Sequence, residues 1–182
     1  GDKPSQIVYY ETKEIRFERW YKNDVIHRDG DKPAEIGYYK TKEIKQKVWF
    51  KNGKVERDGN EPTVIKYYEN QEIKGKEWYN EGDKIIEIYY KHGEIHRDGD
   101  QPAIIRYYKN ERIKSEEFFQ NGELDRNEDK PAVIQYYEKG GKKKGQVKSE
   151  EWYKEGIPYR EDNKPIRMDY EEIIQAEVEV EE

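Results

Sequence analysis

Cysteine is absent from this sequence of 182 residues, and methionine occurs once. Without Cys there is neither a disulfide framework nor a thiolate metal site, and the redox compartment stays open. No apolar run approaches the roughly 18 residues that a membrane-crossing helix needs. The apolar set makes up 32% of the chain against 42% charged, and the mean hydropathy is -1.40. Globular domains usually hold about 45–50% apolar residues, so these figures alone point to disorder. Rings point the other way: there are 17 Tyr, 4 Trp and 4 Phe, whereas disordered segments are poor in aromatics. The expectation is a folded chain with a thin core built from rings. Acidic residues number 41 and basic ones 35, a net charge of -6 without the clustered Lys and Arg of a nucleic-acid footprint. The chain opens at Gly1 rather than Met, inside a repeat, and reads as a fragment or a processed product.

What the sequence does contain is internal repetition. The proline of the phrase "DKPA" recurs at Pro4, Pro33, Pro62, Pro102, Pro131 and Pro165, at spacings of 29, 29, 40, 29 and 34. Aromatic pairs beginning at Tyr9, Trp20, Tyr38, Trp49, Tyr67, Trp78, Tyr89, Tyr107, Phe118, Tyr136 and Trp152 divide each 29-residue period into units of 11 and 18. The long spacing carries one extra 11-residue unit at 78–88, and the last carries a five-residue insertion within 139–146. Residues 1–168 therefore form one tandem array, and 169–182 stand apart from it.

Each unit reads as a strand followed by a turn. After the proline, one face repeats as small, Ile, Tyr (Ala34, Ile36, Tyr38; Thr63, Ile65, Tyr67), while the opposite face varies freely. Alternation of period two predicts a half-buried antiparallel strand. Asn52-Gly53, Asn121-Gly122, His92-Gly93, Glu81-Gly82 and Glu155-Gly156 follow the aromatic pairs as hairpin turns, because both turn residues must take positive φ. The fold class predicted is all-β: an elongated, single-layer antiparallel meander of roughly a dozen strands at about 4.8 Å each. The 18-residue units add a phrase typified by "HRDGDKP", with Arg28, Arg57, Arg97, Arg126 and Arg160 as structural corners. One strand per unit keeps all repeats alike, so these corners are expected to bend or bulge the chain rather than reverse it.

The phrases "WYKN", "YYKNERIKSEEFFQNGEL" and "YYEKGG…KSEEWYKEG" resemble the variant form of the MORN repeat (membrane occupation and recognition nexus). The "HRDGD-PA" corner at 27–34 and 96–103 resembles repeat proteins encoded by giant DNA viruses. The resemblance implies a Tyr-rich strand, an Asn-Gly turn and a second strand. It also implies a host-cytoplasmic or virion setting, and either a membrane-recruiting module or the partner-binding, antitoxin role of some bacterial relatives. The "WY…YY" periodicity also resembles the glycan-binding β-solenoids of bacterial cell-wall-binding proteins.

Motifs for chemistry are weak. His27-Arg28-Asp29 and His96-Arg97-Asp98 match three letters of the kinase catalytic loop, but no Gly-rich phosphate loop or DFG segment accompanies them. His92 and His96 have the spacing of a zinc pair on a helix; along a strand they stand about 13 Å apart. Asp29-Gly30-Asp31 and Asp98-Gly99-Asp100 offer too few oxygens for Ca²⁺. Three Ser and three His form no nucleophile–base pattern, so no catalytic residue, metal ligand or cofactor is assigned. The function expected is a non-enzymatic scaffold for a protein partner, with Trp20, Trp49, Trp78, Tyr89, Phe118 and Trp152 as an aromatic binding ladder. Nucleic acid is not expected as a partner, a membrane surface is disfavoured, and the oligomeric state is left open. Lys142, Lys143 and Lys144 read as a solvated loop tip. Residues 169–182 carry seven acids and no base, and read as a polar cap strand or short helix; without them the array has a charge of +1.

Overall fold

The computed structural model describes residues 2–138 and 146–170. The inserted Lys cluster and residues 171–182 of the expected cap lie outside the described residues. The chain divides into two compact units, Gly1–Gly93 and Glu94–Glu182. Numbering only the strands of the main sheets, the first unit holds β1 (Gln6–Tyr9), β2 (Ile15–Arg19), β3 (Glu35–Tyr38), β4 (Ile44–Val48), β5 (Val64–Tyr67), β6 (Ile73–Asn80) and β7 (Asp83–Lys91). The second holds β8 (Ile104–Tyr107), β9 (Ile113–Glu117), β10 (Val133–Tyr136), β11 (Val147–Glu151) and β12 (Arg167–Asp169). Within each unit every strand pairs antiparallel with the next in chain order. The fold is an all-β antiparallel meander, as the alternation predicts. Among the described residues one 3₁₀ turn, Glu161–Asn163, lies in the last corner.

Register decides which side chains share a face. On one face of the first unit Ile7, Glu18, Ile36, Lys47, Ile65, Lys76 and Ile88 lie opposite one another in succession. The second unit repeats the line with Ile105, Glu116, Ile134, Glu150 and Met168. Isoleucine from the strand after each proline thus alternates with a charged residue from the strand between. The opposite face, freely varying in sequence, holds the most deeply buried charge: Glu35, Glu77 and Glu87. Glu35 accepts from Arg19 at 2.7 Å and from Gln46 at 2.9 Å. Glu77 pairs with Lys66 and, at 3.2 Å, with Lys84, and accepts from the Tyr79 hydroxyl. Burial pushes the Glu77 carboxyl up, but the two ammonium groups outweigh it and hold the group below the usual carboxylate range.

Two kinds of turn join the strands. Asn52-Gly53, Asn121-Gly122, Glu155-Gly156 and Glu81-Gly82 all take positive φ at both residues, as tight hairpins require. At the other end of the strands, residues 10–14, 39–43, 68–72 and 108–112 form a second turn without glycine. The amide of Tyr39 donates to Glu43 and that of Lys42 to Tyr39, with Lys42 at φ 74°. Lys13, Gln71 and Glu111 take the same left-handed position.

The corner is a bulge. Trp49 donates its amide to Thr63 in the main ladder, and its carbonyl accepts from Glu56 of the short hairpin Phe50–Lys51/Lys54–Val55. One residue therefore faces both ends of the 57–62 segment, which loops out of a returning strand already reversed at Asn52-Gly53. Trp20, Phe118 and Trp152 bond in the same way, the amide to Ala34, Ala132 and Ile166 and the carbonyl to His27, Asp125 and Tyr159.

Candidate functional site

The corners are where repeated side chains converge. Arg57 lies over the Trp49 ring, 4.0 Å from its centre. Its Nη1 donates to the Pro62 carbonyl at 3.0 Å, and its Nε and Nη2 grip both oxygens of Asp31 at 2.6 Å each. A guanidinium suits this place because its planar fork can stack and bond on three sides at once. Arg28 covers Trp20 and holds Asp2 and the Pro33 carbonyl. Arg126 covers Phe118 and holds Asp100 and the Pro131 carbonyl. Arg160 covers Trp152, donates to Pro165 at 3.1 Å and lies 3.7 Å from Asp129. Arg97 donates to Pro102 at 3.2 Å. All five arginines assigned to corners by sequence donate to the carbonyl of the proline five residues on.

Each gripped Asp belongs to the preceding corner. A lysine from the following corner adds to the clamp: Lys32 on Asp2 at 2.8 Å, Lys130 on Asp100 at 3.1 Å and Lys164 on Asp129 at 3.0 Å. The Arg28 and Lys32 cations hold the Asp2 carboxyl down to about 2, and Arg126, aided by Lys130, holds Asp100 at about 2. Arg57 likewise keeps Asp31 low. Sequence inspection missed this clamp, although a signal was there. Asn60 replaces Asp in the corner before the extra unit, where the position 26 residues on is Ile86 rather than Arg. The indole N–H of Trp78 bonds the Asn60 carbonyl at 2.9 Å, as that of Trp152 bonds the Asp129 carbonyl at 3.0 Å.

The histidines of the "HRD" phrase have a structural partner on each nitrogen. His27 Nδ1 accepts from the Asn52 amide of the next hairpin at 3.2 Å, which leaves Nε2–H to donate to Asp29 at 3.1 Å. His96 does the same with Asn121 and Asp98. Asp29 also accepts from Lys22, and Asp58 from Lys51. The Asp-Gly-Asp carboxylates at 29 and 31 therefore already hold cations and offer no open oxygen set for Ca²⁺. Among the described residues no group of three or more His, Asp or Glu is placed to hold a metal ion.

The aromatic ladder needs correction. Trp20, Trp49, Phe118 and Trp152 are only 5–7% exposed, because a guanidinium lies on each ring. Trp78 is half-buried; register puts it on the face of Ile86 and Ile88, whereas Tyr89, opposite Gly75, lies on the other face. These six rings are corner and sheet packing and make no exposed row. Polar clefts open between successive corners, among them one of about 330 Å³ lined by His27, Asp29, Lys51 and Asp58 and one of about 410 Å³ lined by His96, Asp98, Gln120 and Asp125.

The tyrosines next to the glycine-free turns brace neighbouring repeats. Tyr10, Tyr39, Tyr68 and Tyr108 donate their hydroxyls to the carbonyls of Tyr38, Tyr67, Tyr90 and Tyr136. In return Tyr38, Tyr136 and Tyr170 donate to Glu18, Glu116 and Glu150, at 2.7, 2.6 and 2.6 Å. Where lysine stands in the glutamate's place, Lys47 lies over Tyr67 and Lys76 over Tyr90. Among the described residues no helix is long and apolar enough to cross a membrane. Compared with models of protein families, with curated proteins and with solved structures, the chain matches none.

Proposed function

We propose that this chain is a non-catalytic repeat scaffold that binds a protein partner, in keeping with its resemblance to MORN-type repeats. One observation carries the reading: the residues that recur in every repeat are occupied by neighbouring repeats. Arg, its ring, the gripped Asp and the bracing Tyr satisfy one another, while what faces solvent changes from repeat to repeat. Glu11, Lys40, Glu69 and Lys109, all exposed, occupy one turn position with both signs of charge. A stiff frame with variable surface positions is the arrangement by which repeat arrays recognise other proteins.

Affinity capture on the immobilised chain from extract of its native host, followed by titration of the purified partner, tests this. A saturable complex with a protein is the expected result. Flotation with phosphatidylserine vesicles, or hits on a glycan array, without any protein bound would overturn it in favour of lipid or glycan recognition.

A further inference from the structure

Tyr38, Tyr136 and Tyr170 each donate a hydroxyl to a glutamate of the preceding strand: Glu18, Glu116 and Glu150. On β4 and β6 that glutamate position holds Lys47, before Tyr67, and Lys76, before Tyr90. An ammonium group has no lone pair to offer, so each lysine lies over the ring, 5.5 and 5.2 Å from its centre, and leaves the hydroxyl proton unclaimed. Among the described residues no other group takes the glutamate's place at either hydroxyl. Both tyrosines are half-buried. Burial alone pushes the Tyr90 hydroxyl up, whereas burial and Glu18 together raise Tyr38.

The charge around these hydroxyls is of one sign. Lys45 and Lys74, exposed on the same two strands, lie over Tyr39 and Tyr68. Among the described residues none of the four lysines has a carboxylate within ion-pair distance. The opposite face of the same unit is matched internally, with Arg19 on Glu35 and both Lys66 and Lys84 on Glu77. Register also fixes a spacing. Lys47 and Lys76 lie opposite Ile65 from its two sides, so they stand two strands, about 10 Å, apart. Each place therefore offers an ammonium and a hydroxyl donor, and each lacks an acceptor.

We propose that this face of the first unit binds an acidic segment of a partner protein, one carboxylate bridging Lys47 Nζ and the Tyr67 hydroxyl and a second bridging Lys76 Nζ and the Tyr90 hydroxyl. The partner supplies the acceptors that Glu116 and Glu150 supply within the chain, and hydrogen bonds to a carboxylate are the stronger kind. Acids three residues apart in a polyproline-type segment span about 9 Å, and acids seven apart on a helix about 10 Å. This rests on the scaffold reading and gives it a site and a partner chemistry.

The test uses the full chain and two labelled peptides, one with glutamates three apart in a proline-rich segment, the other with glutamates seven apart on an alanine-rich helix. Each has a control with glutamine in place of glutamate. At least one glutamate peptide should bind and shift the ring resonances of Tyr67 and Tyr90, and its control should not. Lys47→Glu combined with Lys76→Glu should abolish binding and still fold, because it rebuilds the pair that Glu116 makes with Tyr136. Tyr67→Phe and Tyr90→Phe keep the charge and should each weaken binding about fivefold, as loss of one hydrogen bond does. Failure of both glutamate peptides to bind, equal binding of the glutamine controls, or unchanged affinity in the Tyr→Phe or double Glu variants would overturn the proposal. So would attachment to phosphatidylserine vesicles that the double Glu variant loses while neither peptide binds, since lipid would then be the occupant. A host protein captured equally well by wild type and the double Glu variant would overturn this site and leave the scaffold reading standing.

Discussion

Arg57 shows how one side chain can hold a corner. Its ion pair with Asp31 is exposed on the carboxylate side, and exposed pairs contribute little, about 0–1 kcal/mol. The carbonyl bond to Pro62 and the stacking on Trp49 are sheltered and do more. Arg57→Lys keeps the charge but loses the fork, and urea denaturation should show a loss of about 1–2 kcal/mol. Equal stability would mean that charge alone is needed. Thr63 offers a milder probe. It is 1% exposed, and its hydroxyl accepts the Tyr79 amide at 3.2 Å. Sister repeats carry Ala34, Ala103 and Ala132 here, so Thr63→Ala should fold and lose about 1 kcal/mol. The arginines were legible in sequence because they recur with the proline that takes their hydrogen bond. The rings were legible as repeats but not as buried, since the guanidinium covering each one arrives from eight residues further on.

At the scale of elements, the Asn-Gly hairpins and the period-two strands could be read directly, because each follows from local backbone preference. The glycine-free turns at residues 39–43 and its equivalents could not. Lys42 and Glu111 take φ values of 74° and 62°, which nothing in their side chains announces; the ladders on either side impose them. The corner, expected from the parity of the strands to bend or bulge, is fixed as a bulge by the bonds of Trp49 to Glu56 and Thr63. Stacking of successive hairpins gives a sharp test. Gly53→Ala meets both an unfavourable φ of 83° and the Val25 methyl, and should destabilise the chain by about 1–3 kcal/mol. In a Val25→Ala background the penalty should shrink, and a thermal-denaturation double-mutant cycle would read the coupling. No coupling would mean that the hairpins do not stack in solution.

Across the whole molecule, stability should be bounded by its carboxylates in acid and its tyrosines in base. Asp2 and Asp100 are held at about 2 by corner cations, below the roughly 3.9 of an unfolded aspartate. The folded state therefore binds fewer protons there, and the stabilisation present above pH ~4 should fade as pH falls towards 2. Replacing Asp2, Asp31 and Asp100 together by Asn should flatten that limb in urea titrations at stepped pH, and 1 M salt should do part of the same. At the other end burial and Glu77 push the Tyr79 hydroxyl up to about 12, and burial with Glu18 raises Tyr38 as well. Their stabilisation should be complete below pH ~10 and fade as pH rises through the raised values. Absorbance titration of phenolate should then show a late class of tyrosines that joins the early class in urea.

The sequence by itself determined that this chain is β, that it repeats, and which residues recur. Alternation, turn glycines and periodicity are local properties that need no neighbour to be meaningful. The lack it displays first is explained only by the fold: a sheet whose rings are covered by guanidinium groups and whose buried glutamates are paired needs few aliphatic residues. Only the tertiary structure decided how the repeats hold one another. The Arg–Asp clamp spans 26 residues and the tyrosine brace 28, so both depend on the register between strands. Register also decided that the freely varying face would bury Glu35, Glu77 and Glu87, because a carboxylate can be buried only where a cation comes to rest beside it, from the adjacent strand for Glu35 and Glu77 and from Lys84 of the same strand for Glu87.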